Sequence, residues 1–379
     1  MMNTDPIHIV FAGGGTAGHL FPGLAVAAQL AVRASPPRIT FLGTGKPFEA
    51  RFVEKAGFDY VALPSAPLAA GVRGVLRFFG ENFSGYRAAR RFLRRERASV
   101  AVGLGGYASV PACRAAASID IPLVLLEQNA YPGKATRYLA RHANSICAAF
   151  DEARNHLHEF GPVRVTGNPI RAGFRPRRHP RKPRPADASW QKRLVVLGGS
   201  GGARAINEFV PKALYKLRDE LAGWQIVHQT GPRETAATVE LYHRLTLNAT
   251  VVPFVQNLPS VLRHADLAIS RAGGTTLAEL AATGVPAILL PYPYAADDHQ
   301  RCNADVVAAA GAARVVDERE IYERLDDALL RVLDDLLADG TTRDAMSAAM
   351  FKLARPDATW QVATMVYELA ERPVARYVA

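Results

Sequence analysis

A chain of 379 residues, 49% hydrophobic and 21% charged, is long enough for two domains that each bury a core, and its composition excludes the disordered and fibrous classes. The formal charge of +11 is concentrated: residues 73–97 hold eight arginines against Glu81 and Glu96, and residues 171–184 hold seven basic residues and no acid. That pattern points to a specific anionic surface, membrane or nucleic acid, while three scattered cysteines, Cys113, Cys147 and Cys302, without zinc-type spacing, read as reduced thiols of a cytosolic protein.

In chain order, "IHIVFA" (7–12) reads as a strand and Phe21 to Val32 as a helix. No charged residue lies between Asp5 and Arg33, a span long enough to cross a bilayer. Three consecutive glycines, Thr16, His19, Pro22 and Gln29 interrupt it, and "MMNTDP" lacks a basic n-region, so neither a transmembrane helix nor a signal peptide is expected. "RITFLG" (38–43), "SVAVGLG" (99–105) and "PLVLLEQN" (122–129) are further strand candidates. Between them, 71–95 mixes Val72, Val75, Leu76, Phe78, Phe79 and Phe83 with many arginines. The basic, proline-rich run 175–188 breaks the alternation and reads as an exposed linker. The pattern then restarts with strand, glycine turn and helix at 193–210, and continues at 224–231, 249–255, 265–274 and 285–293. Residues 357–371 form a last amphipathic pattern. Alternating strands and helices in both halves argue for two doubly wound α/β domains with parallel sheets.

In such sheets ligands sit beyond the carboxyl ends of the strands. Glycine turns fall at four of these ends: Gly13–Gly18, Gly103–Gly106, Gly198–Gly202 and Gly273–Gly274. Glycine lets the backbone approach an anion, and a following helix N-terminus offers unpaired N–H groups. Each turn alone is equally readable as a tight strand-to-helix connection; four together suggest phosphate or sugar recognition. The first turn matches the Gly-x-Gly-x-x-Gly dinucleotide fingerprint, but an NAD site wants an acid at the end of the second strand. That strand ends at Gly43–Thr44 and the nearest acid, Glu49, falls past it, so NAD is disfavoured; no P-loop sequence occurs either. A better ribose anchor is Glu279 in "SRAGGTTLAEL", one helical turn beyond Thr275 and Thr276. The alternative is that Glu279 only complements the helix dipole.

Taken together, "GGGTAGHLFPGLAVA", "GLGGYASVPA", "LLEQNAYPGKATR", "VTGNPIR", "LGGSGGARAIN", "SRAGGTTLAEL" and "DDHQRCNA" resemble, in order and across Ile7 to Leu369, the MurG family of peptidoglycan glycosyltransferases. The resemblance implies a GT-B fold, two Rossmann-like domains facing a cleft. The divisions expected are 1–174 for the acceptor and membrane domain, 175–190 for the linker, 191–356 for the UDP-N-acetylglucosamine domain, and 357–379 for a helix packing back on the first domain. It implies an inverting transfer of N-acetylglucosamine from UDP-N-acetylglucosamine to the 4-hydroxyl of an undecaprenyl-pyrophosphoryl muramoyl-pentapeptide. For the donor it implies Thr16, Gly18, Asn129, Arg171, Ser200, Gly201, Phe254, Val255, Arg271, Thr276, Glu279, His299 and Gln300, the "DDHQ" carrying histidine where many relatives have glutamine. For the acceptor it implies Gly105, Gly106, Tyr107 and Asn129.

In-line displacement needs a base, and histidine starts near neutral pH. His19 is the candidate, with an orienting role as its alternative and Glu127 as its rival. Helix N-terminal amides and Arg271 are expected to stabilise the leaving UDP; with no D-x-D clamp, no metal or other cofactor is expected to be obligatory. Because the acceptor is lipid-linked, Val75, Leu76, Phe78 and Phe79 are expected to meet an anionic inner-membrane surface from its cytoplasmic face; an ordinary amphipathic helix with a solvated basic face is the alternative. Nucleic acid is not expected as a partner; cell-wall synthesis or division proteins are. Other readings are a different UDP-sugar GT-B enzyme making a glycolipid, an NAD(P)-dependent oxidoreductase, and a non-enzymatic nucleotide-sugar-binding protein.

Overall fold

A computed structural model describes residues 6–174, 191–199, 201–319 and 325–372. The linker expected at 175–190 is outside the described residues. The chain divides into two compact units, Met1–Arg171 with Asp357–Ala379, and Ala172–Pro356.

The first unit is a seven-stranded parallel sheet: β1 (His8–Ala12), β2 (Arg38–Gly43), β3 (Asp59–Ala62), β4 (Val100–Gly103), β5 (Leu123–Glu127), β6 (Ser145–Ala148) and β7 (Val163–Val165), in the order β3-β2-β1-β4-β5-β6-β7. Its helices are α1 (Ala17–Ala31), α2 (Pro47–Lys55), α3 (Val72–Arg95), α4 (Val110–Ala117), α5 (Lys134–Leu139) and α6 (Arg154–Leu157). The second unit has six parallel strands: β8 (Lys192–Leu197), β9 (Trp224–Gln229), β10 (Ala249–Val252), β11 (Leu267–Ser270), β12 (Ala287–Leu289) and β13 (Ala313–Val315), ordered β10-β9-β8-β11-β12-β13. With it go α7 (Arg204–Lys216), α8 (Thr235–Arg244), α9 (Leu258–Arg263), α10 (Gly274–Thr283), α11 (His299–Ala309), α12 (Leu325–Ala338) and α13 (Gly340–Lys352). The last helix, α14 (Ala358–Glu371), belongs to the first unit.

A parallel sheet covered on both faces needs apolar side chains on both, so its central strands read as continuous hydrophobic runs. β1, β4 and β5 are buried at every residue, whereas the edge strands β3 and β10 are partly exposed throughout. One face of the first sheet packs Ile9, Phe11 and Val102 against α1 and α14 through Leu20, Leu30, Val362 and Val366. Arg33 stacks on the Tyr367 ring at 3.9 Å, and the Thr359 hydroxyl meets the Ile170 backbone at 3.2 Å, so the chain's last helix completes the first unit's core. The second sheet buries Leu194, Val196, Leu267 and Ile269 against α7 and α12.

Candidate active site

In each sheet the connections reverse direction between two central strands, β1 and β4 in the first unit and β8 and β11 in the second. A crevice opens beyond the carboxyl ends of strands at such a switch point. The four glycine turns follow those four strands: Gly13–Gly15 follows β1, Gly105–Gly106 follows β4, Gly198–Gly202 follows β8, and Gly273 precedes α10 after β11.

In the first unit α1 begins at Ala17, four residues before the start expected at Phe21. His19 therefore sits on the first helical turn and not in the loop ahead of it. Thr16 occupies the cap position, but its hydroxyl makes no bond to a helix amide; Oγ1 lies 3.0 Å from His19 Nδ1. The imidazole is laid over the second glycine turn: a Cβ at Gly105 would stand 3.1 Å from His19 Cδ2, and one at Gly106 would stand 3.4 Å from Cε1. Both glycines have positive φ, so a side chain there would be strained and would displace the ring. Tyr107 follows on a short 3-10 turn (Tyr107–Ser109), and burial, then the Glu49 charge, pushes its phenol pKa up, keeping it protonated. Thr16, Gly18, His19, Gly105, Gly106 and Tyr107 are thus brought to one end of one sheet. Arg171 belongs to this unit too, its guanidinium 4.6 Å above the ring of Phe21 on α1.

Glu127, the rival base, is buried among donors. The side chain is 3% exposed, and burial pushes its pKa up against the pull of several donors. Oε1 accepts from Asn129 N at 2.9 Å and Asn129 Nδ2 at 3.1 Å; Oε2 accepts from Gly133 N at 3.1 Å; the Thr136 hydroxyl adds a further bond. A carboxylate so surrounded shapes the 128–133 loop, and its lone pairs are committed to the protein. It is thereby the residue that fixes Asn129.

In the second unit, α10 starts with Gly274, Thr275 and Thr276, and Glu279 follows on the next turn, 4% exposed. The helix N-terminus and Glu279 stand at the end of β11, where a diphosphate and a ribose diol would each find a partner. Across the switch point, Gly201 lies in the turn after β8; Ser200 is outside the described residues. The turn is packed backbone to backbone: a Cβ at Gly202 would meet Thr230 O at 2.5 Å, and one at Gly231 would meet Gly202 N at 2.5 Å. Gln229 ties it to the expected uracil segment, donating to Gly199 O at 3.1 Å while its Oε1 accepts from Val255 N at 2.9 Å. Val255 is buried and Phe254 half-buried.

Behind this turn lies a polar network that motif reading did not find. Asn207 donates to Thr230 O at 3.0 Å and Glu234 Oε2 at 2.7 Å, so its Oδ1 faces His228 Nε2 at 3.1 Å; His228 Nδ1 then accepts from the Tyr242 hydroxyl at 3.0 Å. This assigns the neutral tautomer with hydrogen on Nε2. Burial alone pushes the His228 pKa down to about 3. The local signal was a run of polar residues, His228-Gln229-Thr230, at the end of β9.

Asp297 and Asp298 both adopt φ of 52°, a left-handed pair that leads directly into α11. Arg319 holds Asp298 at 3.0 Å. The strained entry places His299 and Gln300 on the first turn of α11, with His299 Nδ1 2.7 Å from Ala296 O and Gln300 Oε1 accepting from Tyr292 N at 3.0 Å. Arg271 follows the end of β11. Its Nη1 pairs with Glu318 at 2.5 Å and donates to Leu290 O and Pro291 O at 3.1 and 3.3 Å, both partners of the ion pair being largely buried. Through Nη1, Arg271 braces the end of β11 against the 290–291 segment.

Along α3, Ala89 and Leu93 in the second half pack on α4, while Val72, Leu76, Phe79 and Phe83 in the first half are more than 60% exposed. Val75 is exposed and Phe78 half-buried, its ring edge-on to Phe79 at 5.4 Å. Among the described residues no helix is long and apolar enough to cross a membrane, and no group of three or more His, Cys, Asp or Glu is placed to hold a metal ion.

Residues 9–148 match the glycosyltransferase family 28 N-terminal domain and residues 193–361 its C-terminal domain. With two Rossmann-like parallel sheets and glycine turns at both switch points, they define a GT-B glycosyltransferase. The UDP-N-acetylglucosamine--N-acetylmuramyl-(pentapeptide) pyrophosphoryl-undecaprenol N-acetylglucosamine transferase of Methylococcus capsulatus is 40% identical over 96% of this chain and 98% of its own. The transferase of the same name from Sorangium cellulosum is 39% identical over 97% of this chain and 89% of its own. The crystal structure of Acinetobacter baumannii MurG is similar with a TM-score of 0.73 at 29% identity, covering 96% of this chain and 100% of that one. The chain belongs to the MurG family.

Proposed function

We propose that the protein transfers N-acetylglucosamine from UDP-N-acetylglucosamine to the 4-hydroxyl of an undecaprenyl-pyrophosphoryl muramoyl-pentapeptide, with inversion. The observation that carries the reading is the Thr16–His19 pair laid over Gly105–Gly106 at the first switch point. With Nδ1–H donating to Thr16, Nε2 bears the lone pair and takes the acceptor's hydroxyl proton as the oxygen attacks the anomeric carbon. The C–O bond to the diphosphate breaks as the new one forms, and UDP leaves. Its growing charge is met by the amides at the start of α10 and of the turn after β8, with Glu279 holding the ribose and His299 and Gln300 the sugar. Asn129, Tyr107 and the Gly105–Gly106 turn receive the acceptor. No metal is required by this scheme.

The apolar first half of α3, flanked by arginines, seats the enzyme on an anionic bilayer at its cytoplasmic face, where the lipid-linked acceptor resides. Proteins of cell-wall synthesis or division are its natural neighbours there. The deciding assay supplies radiolabelled UDP-N-acetylglucosamine and a muramoyl-pyrophosphoryl-polyprenol, with and without a chelator. Product is expected in both arms, and loss of all turnover on chelation would overturn the metal-free scheme. His19→Ala should lower kcat by about 10²- to 10⁴-fold while leaving UDP affinity unchanged; a kcat within a few-fold of the parent would remove His19 as base.

A further inference from the structure

Glu49 is the acid that falls past the end of β2, out of place for a ribose anchor. It lies on the first turn of α2 and is 0% exposed, so it touches no substrate. Its carboxylate nevertheless collects donors from three elements. Oε1 accepts from Gly15 N at 2.5 Å and Thr44 Oγ1 at 2.9 Å; Oε2 accepts from Thr44 N at 2.7 Å and the Tyr60 hydroxyl at 2.6 Å. Burial and the bond to Glu49 both push the Tyr60 pKa up, which keeps that hydroxyl a donor. The carboxylate lies flush on the turn: a Cβ at Gly14 would stand 2.8 Å from Oε1. From the other side Lys46 Nζ donates to Gly15 O at 3.1 Å. Gly15 is therefore gripped at both its N–H and its carbonyl, one residue before Thr16, whose hydroxyl holds the His19 ring.

From this we infer that Glu49 is a positioning residue for the transfer reaction, locking the first glycine turn so that Thr16 presents His19 in one orientation. The inference rests on the catalytic role proposed for His19. A carboxylate suits the task because it accepts four bonds and donates none, and four N–H and O–H groups point at it. Glutamine has the same shape but brings an NH2 against those donors, so one oxygen's worth of bonds is lost and the turn relaxes.

The test is Glu49→Gln, read three ways: steady-state transfer, UDP binding by calorimetry, and the imidazole 15N signals of His19. The expected result is a kcat about 10- to 100-fold lower, the scale on which misplacement of a catalytic group acts, with UDP affinity unchanged. The His19 ring signals should shift as its contact with Thr16 loosens. Parent-like kcat with unmoved His19 signals overturns the inference. So does a folded variant whose loss of activity is fully accounted for by a smaller folded fraction, since that is what a purely structural role gives. Should Glu49→Gln not fold, Tyr60→Phe combined with Thr44→Val removes two of the four donors; a fall in kcat of about 5-fold or more with UDP affinity intact is expected, and no fall overturns it. The two readings fail separately. A parent enzyme that transfers nothing refutes the function, while the His19 signals of the variant still decide whether Glu49 sets that ring.

Discussion

Acidification should loosen the second unit through one buried histidine. His228 is fully buried and neutral, with Nε2–H given to Asn207 and Nδ1 receiving the Tyr242 hydroxyl. Its pKa is 6.5 in the unfolded chain and about 3 in the folded one. A depressed folded value means that the unfolded state binds the proton first, so the stability it contributes is complete above pH 6.5 and is lost as the pH falls from there through about 3. Linkage over this window gives a loss of about 2 kcal/mol between pH 7 and pH 5, rising towards about 5 kcal/mol below both values. The loss should be felt at the end of β9, where Gln229 and Thr230 support the Gly198–Gly202 turn. Hydrogen exchange of the β9 amides at pH 5 and pH 7, corrected for intrinsic rates, reads it directly. Other groups titrate in the same range, so the comparison is with His228→Gln, which cannot take up the proton. The parent should lose about 2 kcal/mol more β9 protection on acidification than the variant. Equal losses in the two proteins would show that His228 is not the linked group and that the network tolerates its charge.

Three further outcomes follow from the site. Glu127→Ala leaves several buried donors unanswered and should cost about 3 kcal/mol or more of stability in a denaturant titration; a variant that folds like the parent yet loses kcat about 10³-fold or more would assign proton transfer to Glu127. Glu279→Gln should weaken UDP binding in calorimetry by about 10- to 100-fold, the worth of hydrogen bonds to a charged group, and unchanged affinity would place the ribose elsewhere. Replacing Leu76 and Phe79, which are 66% and 65% exposed, by serine should leave the melting temperature unmoved and weaken binding to anionic vesicles by roughly 100-fold; undiminished vesicle binding would assign that patch another role.

Sequence reading located what is local and lost what is not. β1, β2, β5 and β9 were visible because each is an apolar run ended by glycine or polar residues, and the central ones have helices on both faces. β3, β6, β7 and β13 were not proposed as strands: they are three or four residues long, and β3 and β7 lie at the edges of their sheet with no fully buried residue. The start of α1 was misplaced because the usual signs are missing. Its cap hydroxyl serves His19, and its first turn carries no acid. The glycine turns and the place of Glu279 one turn into α10 were legible since turn chemistry and helix spacing are written in adjacent residues. The supports of the site were not. Arg271 finds Glu318 47 residues away, His228 finds Asn207 21 residues away, and nothing in either neighbourhood announces the pairing.

The Gly-x-Gly-x-x-Gly of the first turn shows why a motif needs its surroundings. In a dinucleotide site the glycines bring backbone amides to a pyrophosphate, and an acid at the end of the second strand takes the ribose. Here the strand and the glycines are kept, but the nearby acid is displaced onto α2 and turned inward to take the Gly15 amide. A negative charge placed under the turn opposes a second anion at that amide. The same three glycines then serve a different end: they let a carboxylate lie flush on one side and give a rigid start to a helix whose first turn carries an imidazole. In the second unit, to which we assign the nucleotide, the acid beyond the glycine pair, Glu279, stands on the helix that the glycines begin. What separates the two turns is not the number or spacing of glycines but where the nearest carboxylate points.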